Sequence, residues 1–448
     1  MRVSKKELPK VGCALLNRRF AAKKYFCNMT NSNVCALILA AGRGERMKSE
    51  LVKVLHKAAG FSILEHVIQS VKEAGVRRIV VVIGSQAKQV RASLQSDIEI
   101  VYQKKPLGTG HAVLMAESLL KKWRGEVLVL PGDASCLKGK TLRSFIEAHQ
   151  ESGASGRVLT AQVDQPFGYG RVLRQGKHVV RIREELDASR EEKLICEINS
   201  GIYLFSASEL FEKLHRIQRN KKKHEYYLTD VISAFGESGK PVEAHQIDCS
   251  DEMLGVNTRI DLQKAHQILM AHEMEKHLAN GVTIVNPIQT VIARGVKIGQ
   301  DTVVHPFTWI DRDVEIGRQC EIGPFAKIRS GSRIHDGAVI GSFVEVVRTR
   351  VGKNSRVKHL SYLGDTILGE DVNVGAGTIT ANYDGKLKQK TVIEDQVFLG
   401  CNTVLVAPVT IRKKAKTGAG AVVLARHSVP AGKTVVGVPA KIIKQGKK

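Results

Sequence analysis

The sequence predicts a doubly wound α/β domain followed by a parallel β-helix, and three observations carry that prediction. An apolar run, Val34-Cys35-Ala36-Leu37-Ile38-Leu39, breaks straight into Ala40-Ala41-Gly42-Arg43-Gly44-Glu45-Arg46-Met47. From residue 34 to about 255, short apolar runs alternate with helical patterns. Beyond residue 290 the apolar period becomes six: Ile292, Ile298, Val304, Ile310, Ile316, Ile322, Ile328, Ile334, Ile340 and Val346.

The first run is too short to cross a bilayer and reads as a fully buried strand of a parallel sheet. Gly42 and Gly44 let the backbone after it approach a ligand, with N–H groups turned toward anionic oxygen. Arg46 and Lys53 add two cations at the same mouth. A strand, a glycine-rich loop and fixed cations make a phosphate cradle. It is not a Walker loop, because no Gly-Lys-Ser/Thr follows. Nor is it a dinucleotide fingerprint, because Met47 stands where the third glycine belongs.

A chain of 448 residues has room for two or three domains, and 43% hydrophobic residues are enough for a sizeable core. No apolar run is long enough to span a membrane. The eight cysteines show no paired spacing, which argues against a zinc site or a disulfide scaffold and suits a reducing cytoplasm. The formal charge of +25 is concentrated at the ends. Residues 1–33 hold eight Lys/Arg and one acid, and residues 412–448 hold ten Lys/Arg and no acid. We read 1–33 as a basic, disordered extension and 441–448 as a basic tail, both solvated. No interleaving of aromatic with basic residues points to nucleic acid.

Taken in order, residues 63–71 form an amphipathic helix, and 78–83 and 127–130 are strands. Such alternation places ligands at the carboxyl ends of strands. Gly132-Asp133 follows one of those strands, where a carboxylate can hold Mg2+ alongside phosphate oxygens and water, or simply close a turn. Gln103-x-x-x-Leu107-Gly108-Thr109-Gly110-His111-Ala112 is a second glycine-rich turn, entering a helix and suited to reading the edge of a base. Residues 258–280 carry Ile260, Ala265, Ile268, Leu269 and Leu278 at helical spacing, ending at Asn280-Gly281, and read as a linking helix. The hexapeptide run then points each aliphatic residue inward and stacks it on the next coil. It breaks at Asn382-Tyr383-Asp384-Gly385-Lys386-Leu387-Lys388-Gln389-Lys390, and loops that interrupt a solenoid usually carry function.

Leu39-Ala40-Ala41-Gly42-x-Gly44-x-Arg46-Met47, with Lys53 beyond, resembles the signature of sugar-nucleotide pyrophosphorylases. Further motifs follow: Phe167-Gly168-Tyr169-Gly170-Arg171, Glu184, Glu197-Ile198-Asn199-Ser200-Gly201, Glu225-Tyr226-Tyr227-Leu228-Thr229-Asp230, Gly255-Val256-Asn257-Thr258-Arg259 and Lys358-His359-Leu360-Ser361-Tyr362-Leu363-Gly364-Asp365. Their order resembles one bacterial family, the bifunctional N-acetylglucosamine-1-phosphate uridyltransferase/glucosamine-1-phosphate acetyltransferases, over roughly residues 34–440. The resemblance implies a domain of nucleotide-diphospho-sugar transferase type at 34–257, a linker helix at 258–280 and a left-handed β-helix of roughly seven coils at 281–440.

It also implies two reactions. In one, N-acetylglucosamine 1-phosphate attacks the α-phosphorus of UTP and releases pyrophosphate. Such a step needs positioning and charge neutralisation more than a base. Arg46 and Lys53 would offset triphosphate charge, and Asp133 and Asn257 would hold Mg2+. Leu39, Ala41, Gly42, Gln103, Gly108 and Thr109 would face the nucleotide. Gly170, Glu184, Asn199 and Asn257 would hold the sugar phosphate. In the other reaction, acetyl-CoA acylates glucosamine 1-phosphate, whose protonated amine needs a base. The resemblance gives that role to His359, which lies just past the inward position Val357 and is read as facing the outside of the coil. It gives Arg329, Tyr362 and Asn373 to the sugar phosphate. Ala376, Cys401 and Ala419 go to acetyl-CoA, and Asn382 and Tyr383 to acetyl-CoA where it meets that sugar. A homotrimer in the cytoplasm is implied as well, with no nucleic-acid partner and no integral membrane association.

The chain departs from the family pattern at Pro106, near the uracil, at Ser135 for a proline, and at Leu186 for a lysine. In the second half Val347 replaces a phosphate-contacting lysine, Cys401 a serine, and Gly437 stands near a coenzyme-A-binding arginine for which Lys441 can substitute. Losing one charged hydrogen bond costs roughly 1.5–3 kcal/mol of binding. Two other readings follow: a uridyltransferase whose β-helix only assembles trimers, which Val347 and Gly437 favour, and a non-catalytic regulatory scaffold, which Arg46, Lys53, Asp133 and Asn257 oppose.

Overall fold

The computed structural model describes residues 31–84 and 87–443, so most of the two basic ends read from the sequence lies outside the described residues. The main elements of the first half are β1 (Val34–Ala40), α1 (Ile63–Glu73), β2 (Arg78–Ile83), β3 (Glu99–Tyr102), α2 (Thr109–Leu114), β4 (Glu126–Pro131), α3 (Gly139–Ser152) and β5 (Gly156–Gln162). They continue through β6 (Arg171–Gln175), β7 (His178–Arg183), β8 (Glu197–Ser206), α4 (Ala207–Leu214), α5 (Asp230–Glu237), β9 (Val242–Ile247) and α6 (Arg259–Ala279). Nine strands form one sheet in the order β3-β2-β1-β4-β8-β5-β9-β7-β6.

β1 is buried on both faces, which is why its sequence is continuously apolar rather than alternating. Ala36, Ile38 and Ala40 enter the apolar cluster on one side, and Cys35 and Leu37 the cluster on the other. β1 pairs in parallel with β2 on one edge and β4 on the other. The strand order therefore reverses at β1, and a crevice opens where the carboxyl ends of β1 and β4 diverge. β8 runs antiparallel between β4 and β5, so the sheet is mixed, a feature that apolar alternation alone does not distinguish.

α6 starts in a capping box of Thr258 and Asp261. Ala265, Leu269, Met270 and Met274 pack into the same apolar cluster as Ile284 and Ile292 of the coil that follows. The stripe expected from the sequence is thus half right: Ile260 and Leu278 are exposed, and Met270 and Met274 supply the buried face instead. The reason is that the helix is covered on more than one side, by the first domain and by the first coil.

The second half is a parallel coil of three sheets with ten, eight and eight short strands. The first coils repeat after eighteen residues, as in the register Val291↔Trp309↔Lys327↔Glu345, and the next ones after seventeen, as in Glu345↔Tyr362. Inward positions from Ile292 and Ile310 through Ile322, Ile340, Val357, Leu363, Leu399 and Ile411 are buried. Eight rungs on two of the faces replace the roughly seven coils expected, because pairing already begins at Val291 and runs on to Val423 and Val429. The step from Val374 to Leu399 absorbs the interrupting loop, while the stacking of the aliphatic core passes through unbroken.

Candidate active site

At the strand-order reversal two loops meet. The Gly132 N–H donates to the Leu39 carbonyl at 2.9 Å, which holds Asp133 beside the end of β1. Gly108, at φ +103°, starts α2, and a Cβ there would stand 2.6 Å from the Tyr226 carbonyl, so only glycine fits. Leu39, Ala41, Gly42 and Lys53 line one wall of a cleft of about 390 Å³, facing Gln103, Gly108 and Thr109. Asp133, Glu184 and Asn199 complete it. The volume and the mixture of apolar wall and a few polar groups suit a small-molecule site.

Lys53 is the hub. Its ammonium pairs with the Asp133 carboxylate and donates to Asn257 Oδ1 at 3.1 Å. Gly44, at φ +70°, makes this possible, since a Cβ there would lie 2.5 Å from Lys53 Cβ. One carboxylate and one amide oxygen thus converge on a single positive centre. That donor set fits Mg2+, which takes few protein oxygens and keeps water and phosphate for the rest. Among the described residues no cluster of three or more His, Cys, Asp or Glu could hold a metal ion, so a site rich in protein ligands is absent there.

Arg46 is not brought into the cleft. It lies exposed in a 3-10 turn, Glu45–Met47, and does not line the cavity. Met47 takes the buried position of that turn, which leaves its neighbour facing outward.

Where the sequence reading expects the sugar, the Asn199 N–H donates to the Gly170 carbonyl at 2.9 Å, which ties Gly170, itself not part of the cavity wall, to a residue that is. Asn199 Nδ2 donates to the Tyr203 hydroxyl at 2.8 Å. Burial pushes the Glu184 carboxyl above its ordinary range, and the Thr229 hydroxyl donates to it at 3.3 Å. Tyr227 is pushed up to about 12 by burial and by Glu184. Gln103 Nε2 donates to the Gly108 carbonyl at 3.0 Å and to His111 Nδ1 at 2.9 Å. Tyr203 and Thr229 line the cleft but were not singled out as site residues in the sequence. Thr229 stood inside a quoted motif, while Tyr203 carried no signal beyond its place on a strand.

In the coil, register decides what meets. Ser342 pairs with His359, and the pairs Val357↔Val374 and Val374↔Leu399 carry the same offset forward. His359, Ala376, Cys401 and, through Phe398↔Lys416, Ala419 therefore occupy one column on successive coils. Successive coils are about 4.8 Å apart. His359, two residues past the inward Val357 and the last residue of its strand, is exposed on the outer face, as expected. A Cβ on Gly364 would stand 2.6 Å from both the Tyr362 hydroxyl and Asn382 Nδ2, so the glycine leaves the space where these two side chains converge. Arg329 pairs with Glu345 at 3.1 Å, and Tyr362 is the next rung above Glu345. Asn373 sits on the neighbouring face, in register with Arg356 and Phe398. Tyr383 is exposed at the start of the interrupting loop, and its hydroxyl donates to the Gly385 carbonyl.

One network here has no forerunner among the sequence assignments. Arg348 makes a two-pronged contact with Asp365 at 2.7 and 2.8 Å, and Asn382 Nδ2 donates to the same carboxylate. These contacts hold the Asp365 carboxyl below its usual range. The only sequence signal was the Gly364-Asp365 ending of the histidine motif. Of the departures, Val347 is buried against the coil and Pro106 lines the cleft. Leu186 is exposed, and its carbonyl accepts from Lys222 Nζ at 2.9 Å.

A phosphate-oriented cleft at a strand-order reversal, joined by a helix to a hexapeptide coil, defines a two-domain sugar-nucleotide transferase. The family model of the MobA-like NTP transferase domain matches residues 36–229, and that of the bacterial transferase hexapeptide (six repeats) matches residues 313–348. The bifunctional protein GlmU of a Geobacillus strain is 40% identical over 87% of this chain and 92% of its own length. The protein of that name from Halalkalibacterium halodurans is 42% identical over 88% of this chain and 94% of its own length. In Streptococcus mutans it is 39% identical over 92% and 96%. The chain belongs to the family of the bifunctional protein GlmU, and the fold is that family's: a nucleotide-diphospho-sugar transferase domain followed by a left-handed parallel β-helix.

Proposed function

We propose that the chain makes UDP-N-acetylglucosamine in two steps on two separate surfaces. The coil transfers an acetyl group from acetyl-CoA to the amine of glucosamine 1-phosphate. The first domain then transfers a uridylyl group from UTP to N-acetylglucosamine 1-phosphate and releases pyrophosphate. The observation that carries this reading is the convergence of Asp133, in the cleft wall, and Asn257, beside it, on Lys53, with His359 on the coil's outer face.

In the cleft, Lys53 neutralises phosphate charge while Asp133 and Asn257 would hold Mg2+. Bound there, the ion would supply positive charge to the phosphates. Gln103 commits its amide N–H groups to Gly108 and His111, so it offers a base its carbonyl oxygen, which matches an N–H such as that of uracil. Gly170, Glu184 and Asn199 hold the sugar phosphate, and Arg46 reaches the triphosphate from the rim. No general base is needed, because the attacking phosphate is already an anion.

On the coil, His359 takes a proton from the amine as it attacks the thioester carbonyl, and the thiolate of coenzyme A leaves. The column Ala376, Cys401 and Ala419 runs on from His359 and gives acetyl-CoA a straight path toward it. Asn382 and Tyr383 border the acetyl group, while Arg329, Tyr362 and Asn373 bind the sugar phosphate. The same proposal makes the chain a homotrimer, in which the coil of a neighbouring subunit would complete the site around the outward-facing His359. No helix among the described residues is long and apolar enough to cross a membrane. Cytoplasmic location is part of the same proposal.

One assay tests the whole reading. Purified protein is given Mg2+, UTP and acetyl-CoA with glucosamine 1-phosphate or its N-acetylated form, and free thiol and pyrophosphate are followed together. Both products are expected from the free amine, and pyrophosphate alone from the acetylated sugar. Pyrophosphate without thiol would leave only a uridyltransferase.

A further inference from the structure

The Gly255-Val256-Asn257-Thr258-Arg259 segment gives Asn257 to the cleft, but its last residue has no part in the chemistry above. Arg259 opens α6, and its guanidinium reaches back across the chain to two separate points. Nε donates to the Met47 carbonyl at 3.2 Å, and one terminal nitrogen donates to His56 Nδ1 at 3.1 Å.

Those two acceptors are the ends of the two short turns that carry the cations. Met47 closes the 3-10 turn Glu45–Met47, which bears Arg46. His56 follows the 3-10 turn Lys53–Leu55, and its N–H donates to the Lys53 carbonyl at 3.2 Å. His56 is buried, and its Nδ1 accepts from Arg259. Two residues before Arg259, Asn257 Oδ1 accepts from Lys53 itself. Asp261 Oδ2 accepts the N–H groups of Asn257 and Thr258, at 3.1 and 2.8 Å, and so fixes the start of α6 relative to the cleft.

We infer that Arg259 is a positioning residue for uridylyl transfer: one planar fork, anchored at the start of α6, that sets the Arg46 turn and the Lys53 turn relative to each other and to Asn257. The geometry needs a guanidinium. Its nitrogens point in fixed, diverging directions and can serve two acceptors at once, whereas an ammonium on a flexible stem is a single point. Met47 seats the turn in the core while Arg46 stays outside the cavity wall, and the Arg259 contact to the Met47 carbonyl ties that turn to the start of α6. The inference rests on the uridylyl-transfer reading.

The test is a double-mutant cycle on the full chain, read as pyrophosphate release from UTP and N-acetylglucosamine 1-phosphate. R259A is expected to lower kcat/KM by about tenfold to a hundredfold, the cost of misplacing a catalytic group by about an ångström. R259K should stay close to R259A, because restoring charge does not restore the fork. In an R46A background, R259A should cost distinctly less than it does alone, because part of its effect passes through Arg46. Acetyl transfer by the same preparations should be unchanged within twofold, which separates a misplaced turn from a misfolded chain. Full rescue by R259K, or effects of R46A and R259A that simply multiply, would overturn the positioning role. The wild-type rate tests the underlying reaction, and the ratios between variants test the clamp.

Discussion

The two halves build their sites by opposite means. In the first domain, Leu39, Lys53, Gln103, Asp133, Glu184, Asn199 and Asn257 are far apart in sequence, and only the reversal of strand order at β1 explains why they meet. In the coil, His359, Ala376, Cys401 and Ala419 meet because each lies one coil beyond the last. The cleft is cross-linked, with Lys53 holding Asp133 and Asn257 together. The column is a stack, and removing one member leaves the others where translation puts them. A single substitution among the members of the Lys53 hub should therefore be close to all-or-none, whereas in the coil, the proposed base His359 aside, it should be graded.

The largest effect follows from the hub. Asp133→Ala removes the partner of Lys53 and one of the two oxygens that fit Mg2+. Pyrophosphate release should vanish at any UTP concentration, while thiol release from acetyl-CoA continues in the same tube. Retained uridylyl transfer would take Asp133 out of the mechanism and weaken the contrast between the halves. Next in size is His359→Ala. Loss of a general base costs about a hundredfold to ten-thousandfold, so acetylation should fall by that factor while uridylyl transfer to the pre-acetylated sugar is untouched. If both reactions survive, His359 is only a surface residue of the coil.

This contrast also explains what could be read from the sequence. The coil was legible because a period of six is a direct image of its geometry, and the buried series from Ile292 to Ile411 follows it. The cradle was legible because buried strand, glycine and cation are adjacent in the chain. The antiparallel insertion of β8 was not, since apolar runs carry no direction. The exposure of Ile260 and Leu278 was missed because α6 is covered from two sides, which blurs a single stripe. Arg46 was placed at the mouth by its nearness to Gly44. Sequence distance does not show that Met47 turns inward and Arg46 outward. Asp365 and Arg259 stood inside quoted motifs, but their roles depend on partners at Asn382, Met47 and His56 that no local pattern reveals.

A graded effect is expected at Asp365→Ala. Arg348 would lose its partner and Asn382 its acceptor, and hydrogen bonds to charged groups are worth about 1.5–3 kcal/mol. Acetyl transfer should fall by roughly tenfold in kcat/KM, with uridylyl transfer unchanged. A drop as steep as that of His359→Ala would show that the coil site is as tightly interdependent as the cleft, and the comparison would fail.

The smallest effect concerns stability, and it separates the halves by composition. His66 and His277 are buried in α1 and α6, at the junction between them and the coil, and burial lowers each to about 4. Among the described residues the coil itself buries no histidine. His66 Nε2 lies 2.8 Å from the Ala58 carbonyl, which fixes the neutral tautomer that donates there. Above the unfolded value near 6.5 both states are neutral, and pH has no effect through these groups. As pH falls from 6.5 toward 4 the unfolded chain takes up protons that the folded chain refuses, so stability is lost across that window. At pH 5.5 the loss is about 1.4 kcal/mol per histidine. Thermal unfolding between pH 7 and 4.5 should show the junction and first domain loosening while the β-sheet signal of the coil holds. His66→Gln, whose amide can still donate to Ala58, should flatten part of that slope. A coil that weakens in step with the junction, or a slope unchanged by His66→Gln, would mean that acid acts through other groups.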